Sequence, residues 1–356
     1  MSVSQLSHCV YQGCEGQQPW LSIIIPTFKR PSLLREALAS VLAQDAAPDY
    51  QVIVVDNACS QDTLEIAKEL RSSRVSVYHN LENVGMWGSM GIGIAVASGE
   101  WILILCDDDL LLPNALGQFA TAVSRNQKDR IGCLAGGTLL NISEDVQPIL
   151  KGRGDCVQFP FVAPQRRADP FLVPPGTDFL EVPKLCSSIF RKEEILRAGG
   201  WDRECEGYAD LAMFLRMQKH GLLYGSTEIF GKFGVHSGNE SNLARIWTNY
   251  PVTAAEILFT RYLNDGSPSS DRLRHRLEGA YVRALWTTRL STSLRRQYAG
   301  EVLAHVARTK FNYPLLSLPW LLELLAMAYR FARPRIGTIF RALRGNLPKH
   351  LTAGQE

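Results

Sequence analysis

The chain has 356 residues, 46% hydrophobic and 21% charged, with a formal net charge of +3. That length supplies an ample core for one large domain or two smaller ones. The charge is too small to imply nucleic acid, and no run of about 18 apolar residues offers a membrane span. Residues 270–356 hold 15 Lys and Arg against 5 Asp and Glu, which leaves the rest net acidic by 7. A basic tail on an acidic body points to anionic lipid or another acidic surface. The 8 cysteines include no C-x-x-C pair, so neither a zinc knuckle nor a redox dithiol is indicated. Several, such as Cys106 and Cys133, sit in apolar runs as free thiols do, which fits a reduced, cytoplasmic compartment. No basic-then-apolar leader opens the sequence.

Residues 1–19 are polar and expected to be loosely ordered. "LSIIIPTF" (21–28) reads as a buried strand, and "PSLLREALASVLAQ" (31–44) as a helix with Ser32 as its cap. "YQVIVVDNA" (50–58), "SQDTLEIAKELRSS" (60–73) and "VSVYHN" (75–80) continue as strand, helix and strand. The small-residue segment "GSMGIGIAVASG" (88–99) reads as a helix and "EWILILC" (100–106) as the fourth strand. Apolar, non-alternating strands separated by helices specify a parallel sheet covered on both faces. A helix (114–126), a strand (131–140) and a Pro/Gly-rich loop (141–180) follow. Then come a strand and helix (186–200) and an amphipathic helix, "DLAMFLRMQKHG" (210–221), closed by Gly221. Beyond about residue 250 the pattern is helical and basic.

In open α/β sheets ligands collect at the carboxyl ends of the strands. The first strand delivers Pro26-Thr27-Phe28-Lys29-Arg30 there, the second Asp56-Asn57, and the fourth Asp107-Asp108-Asp109. Three adjacent carboxylates repel one another, and burying them without partners is expensive. A divalent cation, Mn2+ or Mg2+, would neutralise them and would usually keep a diphosphate in its shell. No G-x-G-x-x-G or Walker loop occurs at a strand end. A metal-bridged nucleoside diphosphate is therefore the expected ligand.

"IIIPTFKRPSLLREALASVLAQ", "VIVVDNACSQDT", "NVGMWGSMGIGIAVASGEWILILCDDDLLLP" and "GGWDRECEGYADLAMFLRMQKHG" resemble, in this order, the motifs of the family-2 glycosyltransferases. The resemblance covers roughly residues 20–240. It implies the GT-A fold, a Rossmann-like, mostly parallel sheet flanked by helices, here with a C-terminal helical region. It also implies a catalytic domain over 20–250, with a nucleotide-sugar half (20–113) and an acceptor half (114–250), before a basic helical region (251–356). By the same resemblance Asp56 accepts from the donor's nucleobase, and Thr27 lies in the nucleoside-binding turn. Pro26, Arg30, Asn57, Asn83, Gly85, Asp107 and Asp109 complete the donor-binding set. Asp108 is the metal ligand of the D-x-D-type motif, His236 in "FGVHSGNES" the late histidine that closes over the metal, and Asp210 the catalytic base. Three positions depart from the family pattern: Cys106 for the first Asp of the D-x-D, Ala209 for the Glu before the base, and Gly91 for an Asn.

The implied reaction is inverting transfer from a nucleotide sugar to a hydroxyl of a glycan or lipid-linked glycan, in bacterial surface-polysaccharide assembly. Plainer readings of the same residues stand beside it. Asp107–Asp109 would suit a solvated loop, Asp56 a turn, and Asp210 the N-cap of its helix. Two other functions also fit the residues: a non-catalytic nucleotide-sugar or glycan binder, and a nucleotidyltransferase, though "PTFKRPS" lacks the latter's Gly-rich basic loop. In the tail, "YPLLSLPWLLELLAMAYRFARPRIGTIFRALRG" (313–345) sets Trp320, Tyr329 and Phe331 beside five arginines. That composition suits either an interfacial helix pair on the inner face of the membrane or a subdomain that packs or dimerises.

Overall fold

The protein is described here by a computed structural model. It covers residues 3–13, 18–45, 47–58, 60–70, 72–126, 130–143, 157–158, 183–239, 250–266, 270–271, 273–274, 277 and 291–308. Of the 141–180 loop only 141–143 and 157–158 are described, and the 313–345 segment lies outside the described residues. The chain divides into two compact units, Met1–Val302 and Leu303–Glu356.

The first unit opens with β1 (Ser7–Tyr11), β2 (Leu21–Thr27), α1 (Pro31–Leu42), β3 (Tyr50–Asp56), α2 (Gln61–Leu70) and β4 (Val75–Asn80). Next come α3 (Gly85–Val96), β5 (Trp101–Ile104), β6 (Leu110–Leu111), α4 (Ala115–Arg125), β7 (Cys133–Ile142) and β8 (Val157–Gln158). After these come β9 (Ser188–Arg191), α5 (Lys192–Arg197), α6 (Ala209–Lys219), β10 (Leu223–Val235) and α7 (Val252–Tyr262). One sheet runs β1-β4-β3-β2-β5-β9-β7-β10-β6, with β8 beside β7. The β4-β3-β2-β5 half is parallel, whereas β1 and β9 join it antiparallel. β7 and β10 are parallel to each other. This is the mostly parallel α/β architecture that the sequence pattern specifies.

β2 and β3 are buried at every residue because helices cover both faces. Alternate side chains feed two cores, as the period of a strand requires. Ile23, Ile25, Val52 and Val54 pack with Leu34 and Leu38 of α1, Ile66 of α2 and Phe119 of α4. Ile24, Ile53 and Val55 pack on the opposite face with Met90 and Ile94 of α3 and Phe214 of α6. Each such aliphatic side chain contributes about 1.5–3 kcal/mol of burial. The glycines of α3 have a steric reason: a Cβ on Gly93 would stand 2.4 Å from Cγ2 of Ile24, so only glycine lets this helix lie so close to the sheet.

Several expectations need correction. Residues 7–11, expected to be loose, form β1 and pair with β4. Ser32 is not a cap: the helix starts at Pro31, whose fixed φ and missing N–H suit the first helical position, and the cap position falls on Arg30. The 13-residue β10 is absent from the expected elements. Its glycines and two register shifts against β7 hide any regular period. Among the described residues no helix is long and apolar enough to cross a membrane.

Candidate active site

Because β3, β2 and β5 are adjacent and parallel, their carboxyl ends open on one crevice. Pro26 is buried there, in a central strand, where a proline ordinarily loses a ladder bond. Ile24 accepts from Leu105 on the β5 side, and Pro26, two residues on, faces the same way just past the end of β5. Its missing N–H therefore breaks no pairing.

The acidic turn after β5 is held from three directions. Thr27 Oγ1 donates to Asp107 Oδ2 at 2.8 Å, and Arg30 Nη1 reaches Asp107 Oδ1 and Asp108 Oδ2, each at 3.2 Å. From β10 the amide of Gly234 donates to Asp109 Oδ1 at 2.9 Å. Beyond β10, His236 Nε2 lies 3.1 Å from Asp108 Oδ2, and Asn239 Nδ2 donates to the same oxygen at 3.3 Å. Arg30 also donates to the carbonyl of Gly238 at 3.1 Å, tying the β2 loop to the β10 loop. Burial pushes the Asp107 carboxyl up despite Thr27 and Arg30, and pushes that of Asp109 well above the usual range, with Asp108 adding to it.

These residues fit a divalent cation. Two ligands at right angles on an octahedral ion, each about 2.1 Å from it, stand about 3 Å apart, which is close to the separation of Asp108 Oδ2 and His236 Nε2. Ligand atoms of Cys106, Asp108 and Asp109 also lie within 4.8 Å of one another. In this arrangement Arg30 supplies the positive charge that an ion would bring.

The remaining expected donor residues are more occupied. Asp56 is fully buried; its Oδ1 accepts from the amide of Ala58 at 2.9 Å and its Oδ2 from Ser60 at 2.6 Å. His79 Nε2 stands 3.5 Å from that second oxygen. Asn57 donates to Asn83 Oδ1 at 2.6 Å and accepts from Asn80 and from the amide of Val84. Asn83 also accepts from the amide of Gly85, which has φ +73 and turns the chain into α3. This asparagine network fixes the entry to α3, a structural duty that the sequence pattern alone does not display.

Asp210 lies in the first turn of α6, inside the helix; the N-cap position is Tyr208. Its Oδ1 accepts from the amide of Leu211 at 2.6 Å. Burial raises its carboxyl, while the Leu211 amide and the Lys184 ammonium oppose that rise. The approach to α6 is pinned by Asp202, which accepts from both Arg261 (3.0 and 2.9 Å) and the Tyr262 hydroxyl (2.6 Å) of α7. Sequence reasoning missed Lys184, Gly234 and Asn239. The "HSGN" turn after His236 was a usable signal for Asn239, whose side chain holds the His236 amide. No local pattern marked the other two.

Residues 22–151 match the sequence profile of Glycosyl transferase family 2. The chain resembles that family over a little more than a third of its length. It is 39% identical over 101 residues to the GalNAc(5)-diNAcBac-PP-undecaprenol beta-1,3-glucosyltransferase of Campylobacter jejuni, covering 28% of this chain and 32% of that protein. An uncharacterized glycosyltransferase of Haemophilus influenzae is 31% identical over 106 residues, 30% of this chain and 35% of that one. The chain thus spans about a third of the length of these curated relatives. The solved mannosyltransferase PcManGT from Pyrobaculum calidifontis, in complex with GDP-Man and Mn2+, aligns over 91% of this chain and 82% of its own, with 18% identity and a TM-score of 0.48.

Proposed function

We propose that the protein is an inverting, metal-dependent glycosyltransferase that moves a sugar from a nucleotide sugar to a hydroxyl of a glycan or lipid-linked glycan. The observation that carries this reading is the convergence on Asp108 of Arg30, from the loop after β2, and of His236 and Asn239, from the turn after β10, beside the buried Asp107 and Asp109. Folding alone gives no reason to gather carboxylates at such a strand end. Asp108 and His236 would hold a divalent cation, with Cys106 and Asp109 beside them, and the cation would offset charge on the donor's diphosphate.

Asp210 takes the proton of the acceptor hydroxyl as its oxygen bonds to the anomeric carbon. The bond from that carbon to the diphosphate breaks, and its electron pair leaves with the nucleotide. Thr27 and Arg30 orient Asp107 at the floor of the crevice. The Campylobacter relative is named for an undecaprenol diphosphate-linked glycan, which supports a lipid-linked acceptor for this chain as well. With such an acceptor the basic 313–345 segment would lie on anionic lipid at the inner membrane face.

The test is release of nucleoside diphosphate from a panel of nucleotide sugars with candidate acceptors, by wild type and Asp210→Asn. The variant should bind donor normally and turn over roughly 10²-fold or more slowly. Near-normal turnover would place the base elsewhere. Binding without release by the wild type would favour a non-catalytic binder.

A further inference from the structure

Cys106 stands beside the ion site with no part in it yet defined. Its thiol is free and half-buried, whereas Cys133, Cys186 and Cys205 are buried. In part it packs on the core of the α3 face, a duty that alanine would also meet. A tight turn holds it at the site: the amide of Asp109 donates to the Cys106 carbonyl at 3.0 Å, which folds these two residues toward each other. The Cys106 sulfur, a carboxylate oxygen of Asp108 and one of Asp109 lie within 4.8 Å of one another. An ion about 2.3 Å from sulfur and about 2.1 Å from oxygen separates such ligands by up to about 4.4 Å, so the cluster has the scale of one coordination sphere. From the turn after β10, His236 Nε2 comes within 3.1 Å of Asp108 Oδ2. The groups gathered here therefore offer sulfur, nitrogen and oxygen, not the all-oxygen set that magnesium prefers.

We propose that Cys106 is itself a ligand of the divalent cation, and that its sulfur makes the site select a thiophilic ion, of the zinc or cobalt kind, over magnesium. The inference rests on the reading of this crevice as a metal-dependent donor site. As the ion binds, the S–H proton leaves to solvent and the sulfur coordinates as thiolate. Zinc and cobalt accept thiolate and imidazole together with carboxylate. Magnesium demands a near-ideal octahedron of oxygens and dehydrates reluctantly, so a sulfur in its sphere gains it little. Manganese binds a given set of such ligands more weakly than cobalt does, and falls between the two extremes. Half-burial suits this role, because it leaves the sulfur open to an arriving ion on one side and anchors it on the other.

The experiment titrates Co2+ into the full chain, alone and with UDP or GDP, in wild type, Cys106→Ser and Cys106→Asp. The readout is the sulfur-to-cobalt charge-transfer absorbance in the near ultraviolet, with Mg2+, Mn2+ and Zn2+ then added as competitors. The wild type should develop the band and hold Co2+ and Zn2+ far more tightly than Mg2+. Cys106→Ser, nearly the same size, should lose the band and bind Co2+ about tenfold or more weakly. Cys106→Asp should also lose the band, yet bind Mg2+ about tenfold more tightly than the wild type does. Co2+ bound by the wild type without the band, or a band undiminished in Cys106→Ser, would overturn the inference. So would a wild type that prefers Mg2+ to Co2+. Should the Asp variant fail to fold, the Ser variant is read by the same band. Wild-type protein that binds none of the four ions, with or without nucleotide, would overturn the metal reading beneath the inference as well.

Discussion

Gly234→Ala probes how closely β10 must approach the acidic turn. A Cβ at this position would stand 2.1 Å from the carbonyl oxygen of Asp108 and 3.0 Å from its carbonyl carbon. Both obstacles are backbone, so no side-chain rotation relieves them, and strand and turn must part by about 1 Å. Such overpacking costs about 1–3 kcal/mol. The parting also breaks the 2.9 Å bond from the Gly234 amide to the buried Asp109, which adds about 1–3 kcal/mol for an acceptor left unsatisfied. A displacement of about 1 Å in a catalytic constellation costs on the order of 10²-fold in rate. Gly91→Ala is the matched control: its Cβ would meet nothing within 4 Å, and in mid-helix alanine stabilises by up to about 1 kcal/mol. Thermal unfolding with and without Mn2+ and nucleotide sugar reads both variants. Gly234→Ala should melt lower and lose most of the ligand-induced shift, whereas Gly91→Ala should keep it. A Gly234→Ala protein with wild-type stability and a normal shift would refute this account of the turn.

Glu194 is buried, yet the bonds from Arg197 and Arg130 outweigh that burial and hold its carboxyl below the ordinary value. A depressed folded-state value stabilises above the unfolded-state value of about 4.5 and is lost as pH falls through the folded one. Glu194→Gln should therefore be less stable than wild type in urea at pH 7, with the gap closing at acid pH; an equal gap at pH 3.5 would contradict the pairing. The full chain should float with anionic vesicles at low salt and be partly released at high salt, as lipid contact through arginines requires. Indifference to anionic vesicles at low salt would assign residues 313–345 to packing instead.

The parallel half of the fold was legible because its central strands are apolar runs and α1 and α2 carry apolar residues at helical spacing, while α3 showed itself only as a run of small residues between two strands. The second half was harder to read. β10 is interrupted by Gly225, Gly231 and Gly234, and its register shifts twice, so its sequence has neither alternation nor a continuous apolar run. β1 was missed because an edge strand with one exposed face need not be apolar. At the site, the sequence placed Thr27, Arg30 and the three aspartates correctly at neighbouring strand ends. Tertiary structure alone brings His236 and Asn239 to Asp108 across more than a hundred residues. Asn57 and Asn83 illustrate the opposite limit: a motif position can be occupied with structural hydrogen bonds that no one-dimensional pattern reveals.

On the proposed function, Asp108 makes nucleotide-sugar binding depend on a divalent cation. Calorimetric titration of nucleoside diphosphates and nucleotide sugars into wild type and Asp108→Ala, each with Mn2+ and with EDTA, tests it directly. Binding by the wild type should require Mn2+, and Asp108→Ala should remain folded yet lose the Mn2+-dependent binding. Equal affinity in EDTA, or undiminished Mn2+-dependent binding by Asp108→Ala, would contradict the claim.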